Sequence, residues 1–416
     1  MENMAPLVKR LIKSPVGKYS AVNGVTKLIP FVVSVVLASL MVPSQYGTVA
    51  LVVVVASVVA SLTNYGFSAM VARESHLCSR QEFGELMSSS WIVSILMLTL
   101  VLAGVIFFEQ LLSWTGLEYE LLVCGVFLGF LLGRVDLVSK YLVAQQKIRD
   151  FSVLELCKAG ATALISVVLV YVFLDNAVLA RISGLLVGAV VAFFLACYIV
   201  GRRVIYLRPS KKNIDHIFAY GTNVLPQMVA NWIKLGADKV VIGAAIGLDV
   251  LGAYSFMFSV CSLFMVFGAA LNSAFIGPCM SMYKAGDLKG VANLRRRYMM
   301  ISSVLVIICA ASVALLSVVY WPDGYALSET VVALLMLSFW AQVIYLLYVK
   351  YFMYSLKMAE LSYMNLLATL FYLFILIFGL SDNLTYVAFC FFIYNFLMAF
   401  YVMFRVTLLE KRLVKL

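Results

Sequence analysis

The chain has 416 residues, of which 64% are hydrophobic and 12% charged, and its mean hydropathy is +1.03. A water-soluble domain of this length needs far more polar surface to cover its core. The composition therefore excludes a soluble fold, and with it the reading of the +11 net charge as a nucleic-acid surface. The eight cysteines show no close pairing and lie mostly in apolar runs, where Cys behaves as a small hydrophobe. With two histidines, His76 and His216, and no zinc-type motif, no metal site or other cofactor is expected.

Roughly 20 apolar residues cross a bilayer as a helix. In chain order that length places spans at 19–42, 47–70, 87–108, 119–140, 152–174 and 178–200, then at 217–246, 250–279, 299–320, 326–349, 360–380 and 384–407. The expected fold is an all-α polytopic membrane protein of about 12 transmembrane helices, in two six-helix bundles around a central cavity. Lys and Arg concentrate in the N-terminal stretch, in alternate loops and in the C-terminal tail, whereas the opposite loops are short and acidic, with Glu109, Glu118, Glu120, Asp175, Asp249, Asp323 and Asp382. By the positive-inside rule both termini are cytoplasmic. The basic start, with Lys9, Arg10, Lys13 and Lys18, leads into a run long enough to span, so it reads as a membrane anchor and not as a cleaved signal.

The basic segment 201–216 divides an N-terminal bundle, 1–200, from a C-terminal bundle, 217–416. Six spans per half give both halves one orientation, as in transporters built from parallel repeats. YSAVNGVTKLIP opens the first half and YGTNVLPQMVA the second, and each first span is followed by a glycine-containing turn, at Gly47 and Gly252.

A Lys, Arg or Asp at the centre of a span costs about 2.5–3.5 kcal/mol, so such residues face protein or water. In span 7, Asn223, Gln227, Asn231, Lys234 and Asp238 recur at helical spacing along one face, and span 1 carries Asn23 and Lys27 in the same way. Span 4 adds Arg134 and the pair Asp136 and Lys140. Lys158, Glu155 and Arg181 lie near span ends, where they snorkel or pair. The stripes point to a hydrated, cationic cavity that binds an anionic group. The simpler reading is that Lys234 with Asp238, and Asp136 with Lys140, neutralise each other at i,i+4. Arg73 is either a mouth residue or an ordinary interfacial anchor, and the LRRR run at 294–297 reads as an anionic-lipid anchor. The P-loop pattern is absent, so nothing points to ATP hydrolysis.

With these residues in view, the sequence resembles the Wzx-type polysaccharide flippases of the multidrug/oligosaccharidyl-lipid/polysaccharide exporter superfamily. The resemblance rests on VPSQYGTVALV (42–52), NYGFSAMVARES (64–75) and the stretch 220–256. The last contains Pro226, Asn231-Trp232, Asp238-Lys239 and Gly252-Ala253-Tyr254-Ser255. Lys239 stands where the family favours Arg and loses its bidentate fork.

The resemblance implies a multi-pass protein of the bacterial inner membrane that moves an undecaprenyl-pyrophosphate-linked oligosaccharide repeat unit from the cytoplasmic to the periplasmic leaflet. It also implies work alongside other polysaccharide-assembly membrane proteins and a role in transport and not catalysis. Asn23, Lys27, Arg73, Arg134, Asn223, Gln227, Asn231 and Lys234 would bind the substrate. Asp238 and Asp136 would be ion sites if H+ or Na+ drives transport. The rivals are a cation-coupled drug antiporter of the same superfamily, which would need an acidic and aromatic pocket, and a membrane polysaccharide polymerase, which would carry a large outer loop with arginines. A third is a lipid II-type peptidoglycan flippase, which often carries two additional helices.

Overall fold

A computed structural model describes residues 15–107, 117–202, 204, 208–319, 321–355, 358–379 and 383–415. The helices are α1 Pro15–Leu40, α2 Pro43–Asn64, α3 Phe67–Leu77, α4 Arg80–Phe107, α5 Tyr119–Ala144, α6 Ile148–Val172 and α7 Ala177–Gly201. They continue with α8 Lys211–Val241, α9 Leu248–Ser262, α10 Phe264–Lys284, α11 Leu288–Val319, α12 Glu329–Tyr354, α13 Met358–Phe378 and α14 Leu384–Lys415. No strand occurs among the described residues. Every expected span has its helix, and the chain is a multi-pass membrane protein. Among the described residues ten helical stretches are long and apolar enough to cross a membrane, and Gly24–Leu40 is a shorter apolar one. The helix outside that set is α8, which carries the polar stripe.

Several helices outrun the predicted spans at the end that carries the basic loops: α4 starts at Arg80, α8 at Lys211 and α11 at Leu288. The apolar ruler measures only the hydrocarbon thickness, while charged turns continue the helix into the interface. At α8 a local signal fixes the start, because the Ser210 side chain accepts from the Asn213 backbone N–H at 3.2 Å.

By internal contacts the chain groups into residues 21–252 and residues 1–20 with 253–416. In the first group α2 and α5 meet through small residues. Gly125, Gly129 and Gly133 of α5 lie against Val52, Ala56 and Ala60 of α2, so closely that a Cβ at Gly133 would sit 2.9 Å from the Ala60 carbonyl oxygen. Four-residue spacing on both helices makes this a small-xxx-small seam, the packing that lipid-embedded helices use where water supplies no hydrophobic drive. In the second group Phe275, Cys279, Leu347, Phe352, Val402 and Val406 form a buried core. Beside it Arg295, 3% exposed, pairs with Glu410 and donates to the Tyr283 hydroxyl. The LRRR run is therefore split: Arg295 is an internal ion-pair residue, and Arg296 and Arg297 remain exposed at the surface. Outward faces are apolar, as lipid requires, with Phe396, Phe400 and Phe404 running along an exposed side of α14.

Two features of the first group were not legible as spans. Span 2 breaks at Tyr65 and Gly66, both in the left-handed region, with φ of 42° and 76°. Asn64 donates to the Gly133 carbonyl at 2.8 Å, and the Tyr65 hydroxyl lies 3.1 Å from Thr222 Oγ1. A Cβ at Gly221 would collide with the Tyr65 ring and carbonyl, so the break and α8 touch backbone to side chain. At the acidic end a reciprocal clasp forms. A Cβ at Gly47 would collide with the Leu248 carbonyl, and one at Gly252 with the Pro43 carbonyl. One offset, 205 residues, takes Pro43 to Leu248 and Gly47 to Gly252. That exchange is the contact a two-fold-related repeat makes. Gly252→Val should therefore lower the melting temperature in detergent, through about 1–3 kcal/mol of overpacking. Gly160→Val, where a Cβ meets nothing within 4 Å, should leave it unchanged.

Candidate functional site

The sequence-predicted site residues all belong to the group 21–252, and the structure sorts them by surroundings. On α8 Asn223 and Asn231 are exposed, Gln227 and Lys234 are partly buried and Asp238 is fully buried. Gln227 Nε2 donates to Asn231 Oδ1 at 3.4 Å, joining two of the amides one turn apart. Small and apolar residues of α8, Ala230, Ile233, Gly236 and Ala237, are buried. Gly236 lies so close to α2 that a Cβ there would come within 2.9 Å of Val54.

The predicted stripe does not stay on one face to its end. Pro226 lies inside α8, which runs on from Lys211 to Val241, and the buried positions before it, Ile217 and Gly221, and those after it do not share an ideal helical face. Asp238 is carried inward, where its Oδ1 accepts from the Lys239 backbone N–H at 2.8 Å and lies 3.6 Å from Lys239 Nζ. The acid–base pair of the motif is thus an ion pair of adjacent residues. A π-turn over Ile242–Ile246 then ends the helix.

Lys27 is exposed on α1 and has no hydrogen bond or ion pair among the described residues. The side chain of Asn23 lies outside the described residues. Arg73 is exposed and pairs with Glu74 at 2.7 Å. Glu74 is 5% exposed and also accepts from the Cys78 thiol. Burial and that carboxylate push the thiol up to about 11, so it stays protonated at neutral pH.

Arg134 is 3% exposed. Its guanidinium donates to Ser94 Oγ at 2.9 Å and Ser90 Oγ at 3.4 Å, and stacks 4.0 Å from the Trp91 ring. The spacing of Ser90, Trp91 and Ser94 on α4 places three partners on one side of the helix. That pattern was in the sequence, but nothing local tied it to a residue 40 positions away. Arg134 is held inside the α4–α5 packing, apart from the open amides. Asp136 and Lys140 form an ion pair at 2.8 Å with both side chains half-exposed. They line a cavity of about 600 Å3 together with Glu155 and Lys158, two residues that sequence reasoning had set aside as a span-end pair. No group of three or more His, Cys, Asp or Glu side chains suited to a metal ion occurs among the described residues.

Comparison with known proteins places this geometry in context. A family model described as "Polysaccharide biosynthesis protein" matches residues 15–284. The chain superposes on a multidrug resistance MATE family transporter of the MOP superfamily, in its inward-facing conformation, with a TM-score of 0.70 at 15% identity. The match covers 93% of this chain and 96% of the other. Lipid II flippase MurJ, in the inward closed conformation, gives 0.70 at 14% identity over 94% and 87% of the two chains. A MOP superfamily transporter from Pyrococcus furiosus, described as having a binding pocket of reverse polarity, gives 0.57 at 13% identity over 98% of each. At these identities the likeness is one of fold. No curated protein matches the sequence.

Arg134→Ala should destabilise the protein by about 3 kcal/mol, through lost hydrogen bonds and a cavity. Asn231→Ala, at an exposed position, should stay within about 0.5 kcal/mol. Thermal melting of the two variants in detergent measures the difference.

Proposed function

Because the chain belongs to the polysaccharide biosynthesis protein family and has the fold of MOP-superfamily transporters and flippases, we propose that it flips an undecaprenyl-pyrophosphate-linked oligosaccharide repeat unit across the bacterial inner membrane. The observation that carries this reading is the open face of α8. It offers Asn223, Gln227 and Asn231 as hydrogen-bonding groups, with the cation Lys234 one turn deeper. Sugar hydroxyls need donors and acceptors, which amides supply together. A pyrophosphate inside the membrane needs compensating cations, and Lys234 and the exposed Lys27 provide them. The prenyl tail stays in lipid, against apolar helix faces of the kind α14 presents.

In this reading the basic loops are cytoplasmic, by the positive-inside rule. The substrate loads from that side, and alternating access releases it to the periplasmic leaflet. Each uncompensated negative charge moving outward gains about 2.3 kcal/mol per 100 mV of inside-negative potential, so the potential alone can bias the direction. Asp238 is the coupling site if an ion is used. It is shut off in this conformation by burial and by Lys239, and it would exchange its ion only in another. Arg134 drops out of the substrate set because its guanidinium is engaged within the bundle, and Arg73 serves as an interfacial anchor paired with Glu74.

A second reading, a drug/cation antiporter, is favoured by the equally good superposition on a multidrug transporter. Depletion of the protein separates the two. Lectin accessibility of the lipid-linked glycan is compared in spheroplasts and inverted vesicles. Flipping predicts single repeat units trapped on the cytoplasmic face, with Lys234→Ala reproducing the block and lowering export at least tenfold. No accumulation would favour the antiporter, and single units already on the periplasmic face would favour a polymerase.

A further inference from the structure

The cavity on α3, α5 and α6 lies apart from the α8 amides and holds an unusual set of groups. Asp136 pairs with Lys140 at 2.8 Å and Glu155 with Lys158 at 2.6 Å. The pairs are tied to their neighbours: Lys140 Nζ donates to Ser68 Oγ at 3.3 Å, and the Ser139 hydroxyl donates to Glu155. Two anions, two cations and two hydroxyls thus line one space of about 600 Å3, within the range of small-molecule sites. The walls are kept back by alanines, with Ala69 and Ala72 exposed at the edge.

Ion pairs whose only task is mutual neutralisation in a helix bundle close over and exclude solvent. These do not: the Asp136 and Lys140 side chains are 53% and 47% exposed, facing a cavity large enough for many waters. At the span ends, charges this open are wetted or are covered by a polar ligand. The charge balance says which kind. With no net charge, the cavity has no preference for a pyrophosphate over a cationic drug. It does present carboxylate acceptors and ammonium donors side by side, and each sugar hydroxyl both donates and accepts. Hydrogen bonds to charged partners are the stronger kind.

We propose that this cavity is a saccharide subsite that captures the sugar end of the substrate at the mouth of the transport path, ahead of the α8 amides. This rests on the glycan reading above. The site has four recognition groups in Asp136, Lys140, Glu155 and Lys158, and Ser68 and Ser139 orient Lys140 and Glu155.

The test uses the full-length protein in nanodiscs and two probes, with binding read by native mass spectrometry. One probe is the lipid-linked glycan that accumulates in depleted cells, and the other is sugar-free undecaprenyl pyrophosphate. Ala72→Trp fills the cavity without touching its charges. It should weaken the glycolipid at least tenfold and leave the sugar-free lipid within twofold, and the D136A/K140A double variant should do the same if Ala72→Trp does not fold. Unchanged glycolipid binding in a folded variant overturns the subsite while leaving the flippase reading in place. Wild-type protein that binds neither probe overturns the glycan reading, and the subsite with it.

Discussion

A polar side chain within the hydrocarbon thickness must find a protein partner, reach the interface, or keep water beside it. The intramembrane residues of this protein divide among those three outcomes, and the division organises the rest of the structure. Arg134 takes the first, on Ser90, Ser94 and Trp91. Arg73 takes the second, exposed and paired with Glu74. In the proposed reading the amides of α8 and the charges of the α3–α5–α6 cavity take the third.

Helix packing decides which positions of α8 are buried. Glycines and alanines let α2 and α5 approach until backbone atoms touch, and the same kind of contact draws α8 onto the Tyr65–Gly66 break and onto Val54. Tyr65 sits in the left-handed region, at an intrinsic cost of about 1–2 kcal/mol for a residue with a side chain. Its ring packing on Phe218, at 5.2 Å, and its contact with Thr222 hold it there.

Twelve spans were readable from the sequence because lipid imposes one length and one polarity on a crossing helix, and among the described residues ten helical stretches meet that ruler while the polar α8 does not. Local stereochemistry that the ruler does not measure was not readable. The break at Tyr65 carries no proline, and which positions of α8 are buried at each level depends on the helices packed there. The site was legible in part. Asn223 and Asn231 are exposed and Gln227 is partly buried, all three within a few turns of one another. Asp238 is not exposed: at the far end of the helix it is fully buried and paired with Lys239. Pairing within a helix, as for Asp136 with Lys140 and Glu155 with Lys158, can be read from an i,i+3 or i,i+4 spacing. That both pairs open onto one cavity depends on the packing of α5 against α6, which no spacing encodes.

Whether the outward face of α8 lines a water-filled path is the point on which the functional reading turns, and thiol accessibility measures it. Single cysteines at positions 223, 227 and 231, in a cysteine-free background, would be treated in intact membranes with a charged methanethiosulfonate reagent. A cysteine at Leu164, which is 69% exposed on an apolar stretch of α6, serves as the lipid-facing comparison. The account predicts rapid modification at all three α8 positions and none at 164. Modification at none of the four would mean that the amides face lipid or packed protein, and would contradict it.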